Sequence, residues 1–241
     1  MQTQSNKIFI LGISCFLCAS VALGQNGNNA NANNVNPVKS TVDDAKVKSD
    51  LDQEKKAEEW VSALNLSDVA KKKRVQEAVA THLKTIRDWH NEHPFTGVPA
   101  GINPATGNRL SELDRTVIAN SAMPQSIHDS LMNALKRELT PEQVELILDK
   151  YTVGKVAFTL AGYKAIVPDL KPEEETKILE YLKQAREQSI DFKSMKEISA
   201  IFEIYKTKCE QYLNNNGRNW RQLYKAYTDK IKAEKLKEGK N

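Results

Sequence analysis

The sequence predicts an all-α fold, a single-domain helical bundle with one long ordered loop. Apolar residues recur three and four positions apart through most of the chain after residue 50, which is the period of helices with one buried face. Serine, threonine and proline stand where these runs begin, and asparagine and glycine stand where the last long run ends. The chain has 241 residues, which is enough for one sizeable helical core.

Four helices are predicted in the first half of the chain. One lies near 50–64, and a second with a stronger apolar face covers 67–92. A third covers 112–122, because Ser111 stands where its hydroxyl can cap the first turn. A fourth runs over 124–138, with proline at its start.

The loop is the segment Pro94–Arg109, which holds three of the eight prolines and three of the ten glycines. A loop of this length in a compact domain is either functional or disordered. We expect it to be ordered, because it carries three apolar residues that can anchor it, namely Phe95, Val98 and Ile102. We also expect it to line a binding site, with Asn103 and Arg109 among the polar contacts.

The second half carries the clearest helix signals. Thr140 and Gln143 form a predicted capping box around Pro141 at the first helical position. The apolar stretch 153–167 is read as a buried helix, and Pro172 with three following glutamates opens the next one. A further helix shows one apolar stripe, made of Met195, Ile198, Phe202, Tyr205, Cys209 and Tyr212.

Residues 1–24 are typical of a cleaved signal peptide. Lys7 precedes the apolar run 8–22, and Ala22–Gly24 is a small-x-small cleavage site that leaves Gln25 as the new N-terminus. A membrane anchor is disfavoured, since the run is short for a bilayer span and no basic residues follow it. A lipoprotein signal is disfavoured too, because the residues before Cys15 fit its box poorly. We therefore expect an exported protein, periplasmic or secreted.

Composition defines the remaining organisation. An asparagine-rich, disordered spacer is predicted over 25–40, followed by a helical domain over 41–241. The net charge of +4 falls to +3 without Lys7, which is too small to indicate a nucleic-acid partner. Cleavage would leave Cys209 as the remaining cysteine, and its place on an apolar stripe predicts a buried, inert thiol.

Two clusters of polar residues contain side chains that could form reactive sites. Residues 90–93, with His82 and Asp88 nearby, offer zinc ligand types, but the spacing is no known zinc motif and Pro94 ends the helix there. No metal or cofactor is therefore expected. Glu187 and Asp191 lie four residues apart on a helix and could act as acid and base, although such pairs are more often a solvated helix face.

Aromatic residues give a third pattern. Sugar sites stack aromatic rings on pyranose faces, while aromatic residues at helical spacing are more often core. Both interpretations stay open for six residues, namely Trp89, Tyr151, Tyr163, Tyr205, Tyr212 and Trp220.

The order of helices and short motifs over 139–220 resembles one family. Gly162-Tyr163, Ala185–Glu187, Tyr205-Lys206 and Asn216-Gly217 follow the capping-box helix in the order seen in domain of unknown function 3826, with similarity over roughly 58–228. That resemblance implies an exported protein of Bacteroidetes, encoded near polysaccharide-degradation genes, that binds a sugar. It implies no catalytic residues. The positions that match its recurrent pattern are Tyr163, Arg186, Glu187, Asp191, Tyr205 and Lys206.

A second resemblance competes with the first. Leu139–Gln143 looks like the leucine-threonine-x-x-glutamine motif of small periplasmic helical chaperones, but the nearest second copy, at Leu170, lacks the threonine and the glutamine. The sequence therefore predicts an exported carbohydrate-binding or accessory protein of polysaccharide utilisation. The alternative is a chaperone-like interaction protein, and a glycan-active enzyme ranks third.

Overall fold

The computed structural model describes residues 37–104 and 106–238. The predicted signal peptide over 1–24 and the predicted spacer up to residue 36 lie outside the described residues. The first helix begins at Pro37, so the last four residues assigned to the spacer are helical.

Within the described ranges the fold consists of α-helices, one short 3-10 helix and no β-strand, which confirms the predicted all-α class. The helices in chain order are α1 (Pro37–Ser62), α2 (Val69–Glu92), the 3-10 helix (Phe95–Gly97), α3 (Glu112–Asn120), α4 (Gln125–Glu138), α5 (Pro141–Tyr151), α6 (Lys155–Ile166), α7 (Pro172–Ser189), α8 (Met195–Asn215) and α9 (Trp220–Glu238). None of the helices in this part of the chain is both long and apolar enough to cross a membrane.

Local signals decide several of the helix starts. Thr140 Oγ1 accepts from the Gln143 backbone N–H at 3.3 Å, and Gln143 Oε1 accepts from the Thr140 backbone N–H at 3.1 Å. Ser111 and Asp114 form the same reciprocal pair at the start of α3. Each pair satisfies donors that the first turn of a helix leaves free, which is why the sequence predicts these boundaries.

The start of α1 could not be predicted in this way. The apolar pattern predicts a start near residue 50, because the preceding turns carry no apolar face. Ion pairs to α2 hold those turns instead: Lys46 Nζ lies 2.9 Å from the Asp88 carboxylate, and Arg87 Nη2 lies 2.6 Å from that of Asp50.

Two hydrophobic cores organise the chain. The N-terminal core is built from α1, α2, α4 and α5, with Val79, Leu135 and Ile147 at its centre. The C-terminal core is built from α6, α7 and α8, with residues such as Leu182 and Phe202, and α9 packs on it through Trp220. The two cores meet along α5, α7 and the turn that follows α7.

The helix α6 differs from its prediction as a buried helix. Val156 and Tyr163 are its buried residues, and Phe158 is 52 % exposed. Much of its outer face is alanine, at 157, 161 and 165, so the chain can expose that face at little cost. The apolar run therefore reflects small residues at the surface rather than burial on all sides.

The loop between α2 and α3 is fastened to α3. Arg115 Nε donates to the Val98 carbonyl at 2.9 Å, and its guanidinium lies 5.3 Å from the centre of the Phe95 ring. An antiparallel bridge joins Ile102 to Arg109. The expected anchoring by Ile102 is wrong, since this side chain is 66 % exposed, and the bridge closes the loop through the backbone instead.

Candidate functional site

A cleft of about 890 Å³ opens where the two cores meet. It lies between α1, α2 and α5 on one side and the turn before α8 on the other. The residues that line it are Ser49, Gln53, Lys56, Glu59, Trp60, Leu83, Ile86, Arg87, Leu146, Asp149, Lys150, Tyr151, Val153, Gly154, Phe192, Lys193, Met195 and Ile198. This volume falls within the range of small-molecule binding sites.

Trp60 contributes the large aromatic surface of the cleft wall. It is half-buried, and its ring meets the ring of Tyr151 edge-on with centroids 4.8 Å apart. The Lys56 ammonium lies 5.3 Å from the centre of the Trp60 ring. These contacts hold the indole in place while part of it stays accessible from the cleft.

The turn between α5 and α6 forms part of the rim. Val153 has φ of 52° and Gly154 has φ of 67°, so two successive residues are left-handed. Glycine adopts this conformation freely, but a β-branched residue pays steric energy there. Val153 is also 74 % exposed, so its own burial does not offset that cost.

Arg186 joins α7 to α5 and pairs with Asp149, one of the residues that line the cleft. Its guanidinium is buried, with Nη1 2.6 Å from the Asp149 carboxylate and Nη2 2.7 Å from that of Glu145. Burial opposes the charge on Arg186, but these two carboxylates outweigh burial and raise its pKa. The negative charge that Asp149 brings to the cleft wall is therefore already neutralised by Arg186.

Asp191, in the turn after α7, gathers three of the four histidines. Its Oδ1 lies 3.0 Å from His82 Nε2 and its Oδ2 lies 2.8 Å from His128 Nδ1. Its backbone carbonyl accepts from His90 Nε2 at 2.9 Å. Three helix positions of the N-terminal core therefore converge on one residue of the turn that leads into α8.

A hydrogen-bonded chain runs from the cleft wall through this cluster. An ionised carboxylate only accepts, so His82 donates through Nε2 and its Nδ1 is left to accept the Tyr151 hydroxyl at 3.1 Å. On the far side, His128 Nε2 lies 3.8 Å from the exposed Glu187 carboxylate. The hydrogen-bonded order of groups is Tyr151, His82, Asp191 and His128, and Glu187 extends it only by the longer ion-pair contact.

Neighbouring charges and burial set the protonation of the side chains in this hydrogen-bonded series. The Asp191 hydrogen bond raises the pKa of His128 more than burial lowers it. Burial tends to raise the pKa of Asp191, but the hydrogen bonds from His128 and His82 lower it further than burial raises it. Burial also raises the pKa of Tyr151 well above its usual range, so the phenol stays protonated. Asp191 is thus an ionised carboxylate that accepts hydrogen bonds from His82 on one side and His128 on the other.

The histidines that suggested zinc ligation are separated by the fold. His90 points inward to Asp191, whereas His93 is exposed and stacks on Trp89 with ring centroids 3.6 Å apart. The described part of the chain contains no group of three or more His, Cys, Asp or Glu side chains placed to hold a metal ion. Cys209 lies in the C-terminal core, where burial raises the pKa of its thiol to about 12.

The eight predicted site residues lie in three separate places. Arg186, Glu187 and Asp191 are close in sequence at the end of α7, although the Arg186 guanidinium is buried and paired with Glu145 and Asp149. Asn103 and Arg109 lie in the loop fastened to α3, and none of the described residues of that loop, 94–104 and 106–109, lines the cleft.

The remaining three predicted residues cluster around α8. Tyr163 is 2 % exposed, and its hydroxyl donates to the Lys206 carbonyl at 3.1 Å. The Lys206 ammonium pairs with Glu203 at 2.8 Å. Tyr205 is half-buried, with the Lys208 ammonium 4.1 Å from its ring centre. This group belongs to the C-terminal core and its surface rather than to the cleft.

Sequence reasoning missed His128 and the exposed face of Trp60. His128 lies 63 residues before Asp191, on another helix, so no spacing within one element relates them. Trp60 sits in an apolar helical pattern, which indicates core equally well. The available signal was an aromatic residue in a stretch of α1 that is otherwise dense in charged and amide side chains.

One protein-family model matches most of the chain. A family model described as "Protein of unknown function (DUF3826)" matches residues 51–233. The chain belongs to this family. The match begins within α1 and ends within α9, so the DUF3826 region includes both cores, the Asp191 cluster and every residue that lines the cleft except Ser49. Among curated proteins, none matches the chain.

Proposed function

We propose that this protein is an exported, non-catalytic carbohydrate-binding protein that serves polysaccharide utilisation. The cleft beside Trp60 is the proposed sugar site. The observation that carries the proposal is that one cleft combines an accessible aromatic ring with both hydrogen-bond donors and hydrogen-bond acceptors. Ligand sites typically join apolar surface to a few polar groups that fix orientation.

The polar groups of the cleft suit sugar hydroxyls. Ser49 and Gln53 both donate and accept, Glu59 accepts, and Lys193 donates. The Trp60 ring offers an apolar face on which the C–H groups of a pyranose can pack. Because α1 supplies several of these groups together with Trp60, the site depends on one continuous helix face.

An enzyme that uses Glu187 and Asp191 as acid and base has less support. Both oxygens of Asp191 accept hydrogen bonds from histidines, which holds the pKa of the carboxyl low. A general acid needs the opposite, namely a carboxyl whose pKa is raised. Glu187 is exposed and lies on the far side of His128 from the cleft wall.

The test is calorimetric titration of the purified protein against plant and host oligosaccharides. We expect at least one glycan to bind, and Trp60→Ala to weaken that binding about ten-fold or more, since central aromatic anchors dominate such sites. Trp60→Phe keeps a ring and should retain most of the affinity. Trp89→Ala is the matched control, because Trp89 is also half-buried but does not line the cleft.

Two outcomes would contradict the proposal. If no glycan binds at millimolar concentration while the protein suppresses aggregation of a denatured client, the chaperone-like function replaces it. If a glycan binds but the folded Trp60→Ala protein keeps full affinity, the sugar site lies elsewhere.

A further inference from the structure

The charges on the cleft walls are unequal. Four cationic residues line the cleft, namely Lys56, Arg87, Lys150 and Lys193. Two anionic residues line it, namely Glu59 and Asp149. An uneven wall charge raises the local concentration of ligands of the opposite sign, because a cleft focuses the field.

Two of these six charges are already neutralised by neighbours. Arg87 pairs with Asp50 at 2.6 Å and with Asp88 at 2.7 Å. Asp149 pairs with the buried Arg186 at 2.6 Å. Neither group therefore contributes a full charge to a ligand in the cleft.

The three lysines remain available. Lys56 and Lys150 form no ion pair with any described residue, and Lys193 donates only to the neutral Asn91 amide at 2.9 Å. All three are exposed, so their ammonium groups can turn toward a ligand without first breaking an ion pair. The remaining negative charge is that of Glu59, which is also exposed and forms no ion pair with any described residue.

Apolar side chains line the same cleft. Leu146, Val153 and Met195 line it and are exposed, which large hydrophobic side chains rarely are as a group without function. A ligand that fits this lining needs apolar faces together with negative charge. An acidic oligosaccharide has both, since its C–H faces are apolar and its carboxylate or sulfate groups project from the ring edges.

We propose that the cleft selects anionic glycans, with Lys56, Lys150 and Lys193 meeting the acidic groups while Trp60 and the exposed apolar side chains of the cleft meet the sugar faces. This inference rests on the proposed function, because it names the class of sugar that the same cleft takes. Uronate carboxylates and sulfate esters share the required chemistry.

The experiment compares three probes of equal length by calorimetry with the purified protein. These are a trisaccharide of galacturonic acid, the neutral trisaccharide of galactose, and a sulfated galactose trisaccharide. We expect one or both acidic probes to bind about ten-fold or more tightly than the neutral one at low salt. The preference should shrink at about 0.5 M salt, where charges more than a few ångströms apart are screened.

Single lysine variants locate the charge effect. Lys150→Gln and Lys193→Gln should each weaken binding of the acidic probe roughly two- to five-fold, as expected for exposed charge pairs. Lys150→Gln should also leave the neutral probe unchanged, because Lys150 is not among the groups proposed to bind neutral hydroxyls. Lys230→Gln is the matched control, because Lys230 is exposed on α9 and does not line the cleft. It removes the same charge from the molecule and should have no effect.

Each outcome decides something. If the galacturonic or the sulfated probe alone binds, the anion inference holds and the acidic group is identified. If the neutral probe binds as tightly as both acidic probes, the charge inference is wrong and the sugar site stands. If Lys230→Gln weakens binding as much as the cleft variants, the attraction is a nonspecific effect of net charge. If none of the probes binds and the wider glycan panel also fails, the proposed function falls together with the inference.

Discussion

Two polar links join the N-terminal and C-terminal cores, and they differ in chemistry. At one, Arg186 of α7 pairs with Glu145 and Asp149 of α5. At the other, Asp191 after α7 binds His82 of α2 and His128 of α4. The first link places a permanent cation among carboxylates, whereas the second places a carboxylate beside two histidines, of which His128 has a raised pKa. The same two cores are therefore joined once independently of pH and once in a pH-dependent way.

The largest effect is expected at the arginine link. Arg186→Met should lower the free energy of unfolding by about 3 kcal/mol or more, because it removes the buried partner of two carboxylates. Denaturant unfolding followed by circular dichroism measures this. Lys183→Met is the matched control, since Lys183 pairs with the same Glu145 at 2.9 Å but is exposed, and it should cost less than about 1 kcal/mol. If the two variants lose the same free energy of unfolding, the burial of Arg186 does not add to the strength of its ion pairs.

The stabilisation that the histidine link contributes should depend on pH. The folded pKa of His128 is raised, so its contribution is complete below the unfolded value of about 6.5 and is lost as pH rises through the folded value. The folded pKa of Asp191 is lowered, so its contribution is present above the unfolded value of about 3.9 and is lost as pH falls through the folded value. The link is thus strongest between about pH 4 and pH 6.5.

His128→Gln makes that comparison measurable. The variant should cost about 2 kcal/mol of unfolding free energy near pH 5.5, as loss of a charged hydrogen bond does, and clearly less near pH 8.5. Burial lowers the pKa of His90, which favours folding at higher pH in both proteins and cancels in the difference. The cost of Arg186→Met should stay level between the same two pH values. A cost of His128→Gln that does not change with pH would remove the proposed difference between the links.

A smaller effect is expected where the histidine link reaches the cleft wall. Tyr151→Phe removes the hydroxyl bound to His82 and should lower the free energy of unfolding by about 1 to 2 kcal/mol, because a buried ring nitrogen loses its partner. Tyr212→Phe removes a hydroxyl from a half-buried tyrosine whose ring meets Tyr181 edge-on, and should be close to neutral. Thermal unfolding separates the two variants. If Tyr151→Phe is as mild as Tyr212→Phe, the hydroxyl is not part of the link.

The turn between α5 and α6 connects the two cores through the backbone. A substitution there should have the smallest effect, and it should raise the free energy of unfolding rather than lower it. Val153→Gly should raise the free energy of unfolding by up to about 1 kcal/mol, because it relieves a left-handed β-branched residue. Val69→Gly is the control, since Val69 is similarly exposed but begins the helix α2, and there glycine should destabilise. A loss of stability in Val153→Gly would show that the turn is not strained.

The contrast between local and distant signals explains what the sequence could predict. The capping box of Thr140 and Gln143 spans three residues, so its residues can be read together, and α5 begins where predicted. The Asp191 cluster joins residues 63 and 109 positions apart, so only the packing of α2 and α4 against the turn after α7 brings it together. The early start of α1 depends in the same way on ion pairs across to α2.

The predicted binding residues show the same limit. Tyr163 and Arg186 are the kinds of residue that sugar sites use, but their types do not reveal burial, and both are 2 % exposed. The sequence pattern places Trp60 on a helix face but does not predict a site there, because an apolar residue at helical spacing gives the same pattern whether it packs inward or lines a cleft.

A crystal structure of the protein with an acidic oligosaccharide tests the central claim most directly. The account predicts a sugar ring within about 4 Å of the Trp60 indole, the usual contact distance of apolar groups, with its acidic group near Lys150 or Lys193. A sugar bound instead against Tyr205 and Trp220, or in the loop around Asn103 and Arg109, with the cleft at Trp60 empty, would contradict it.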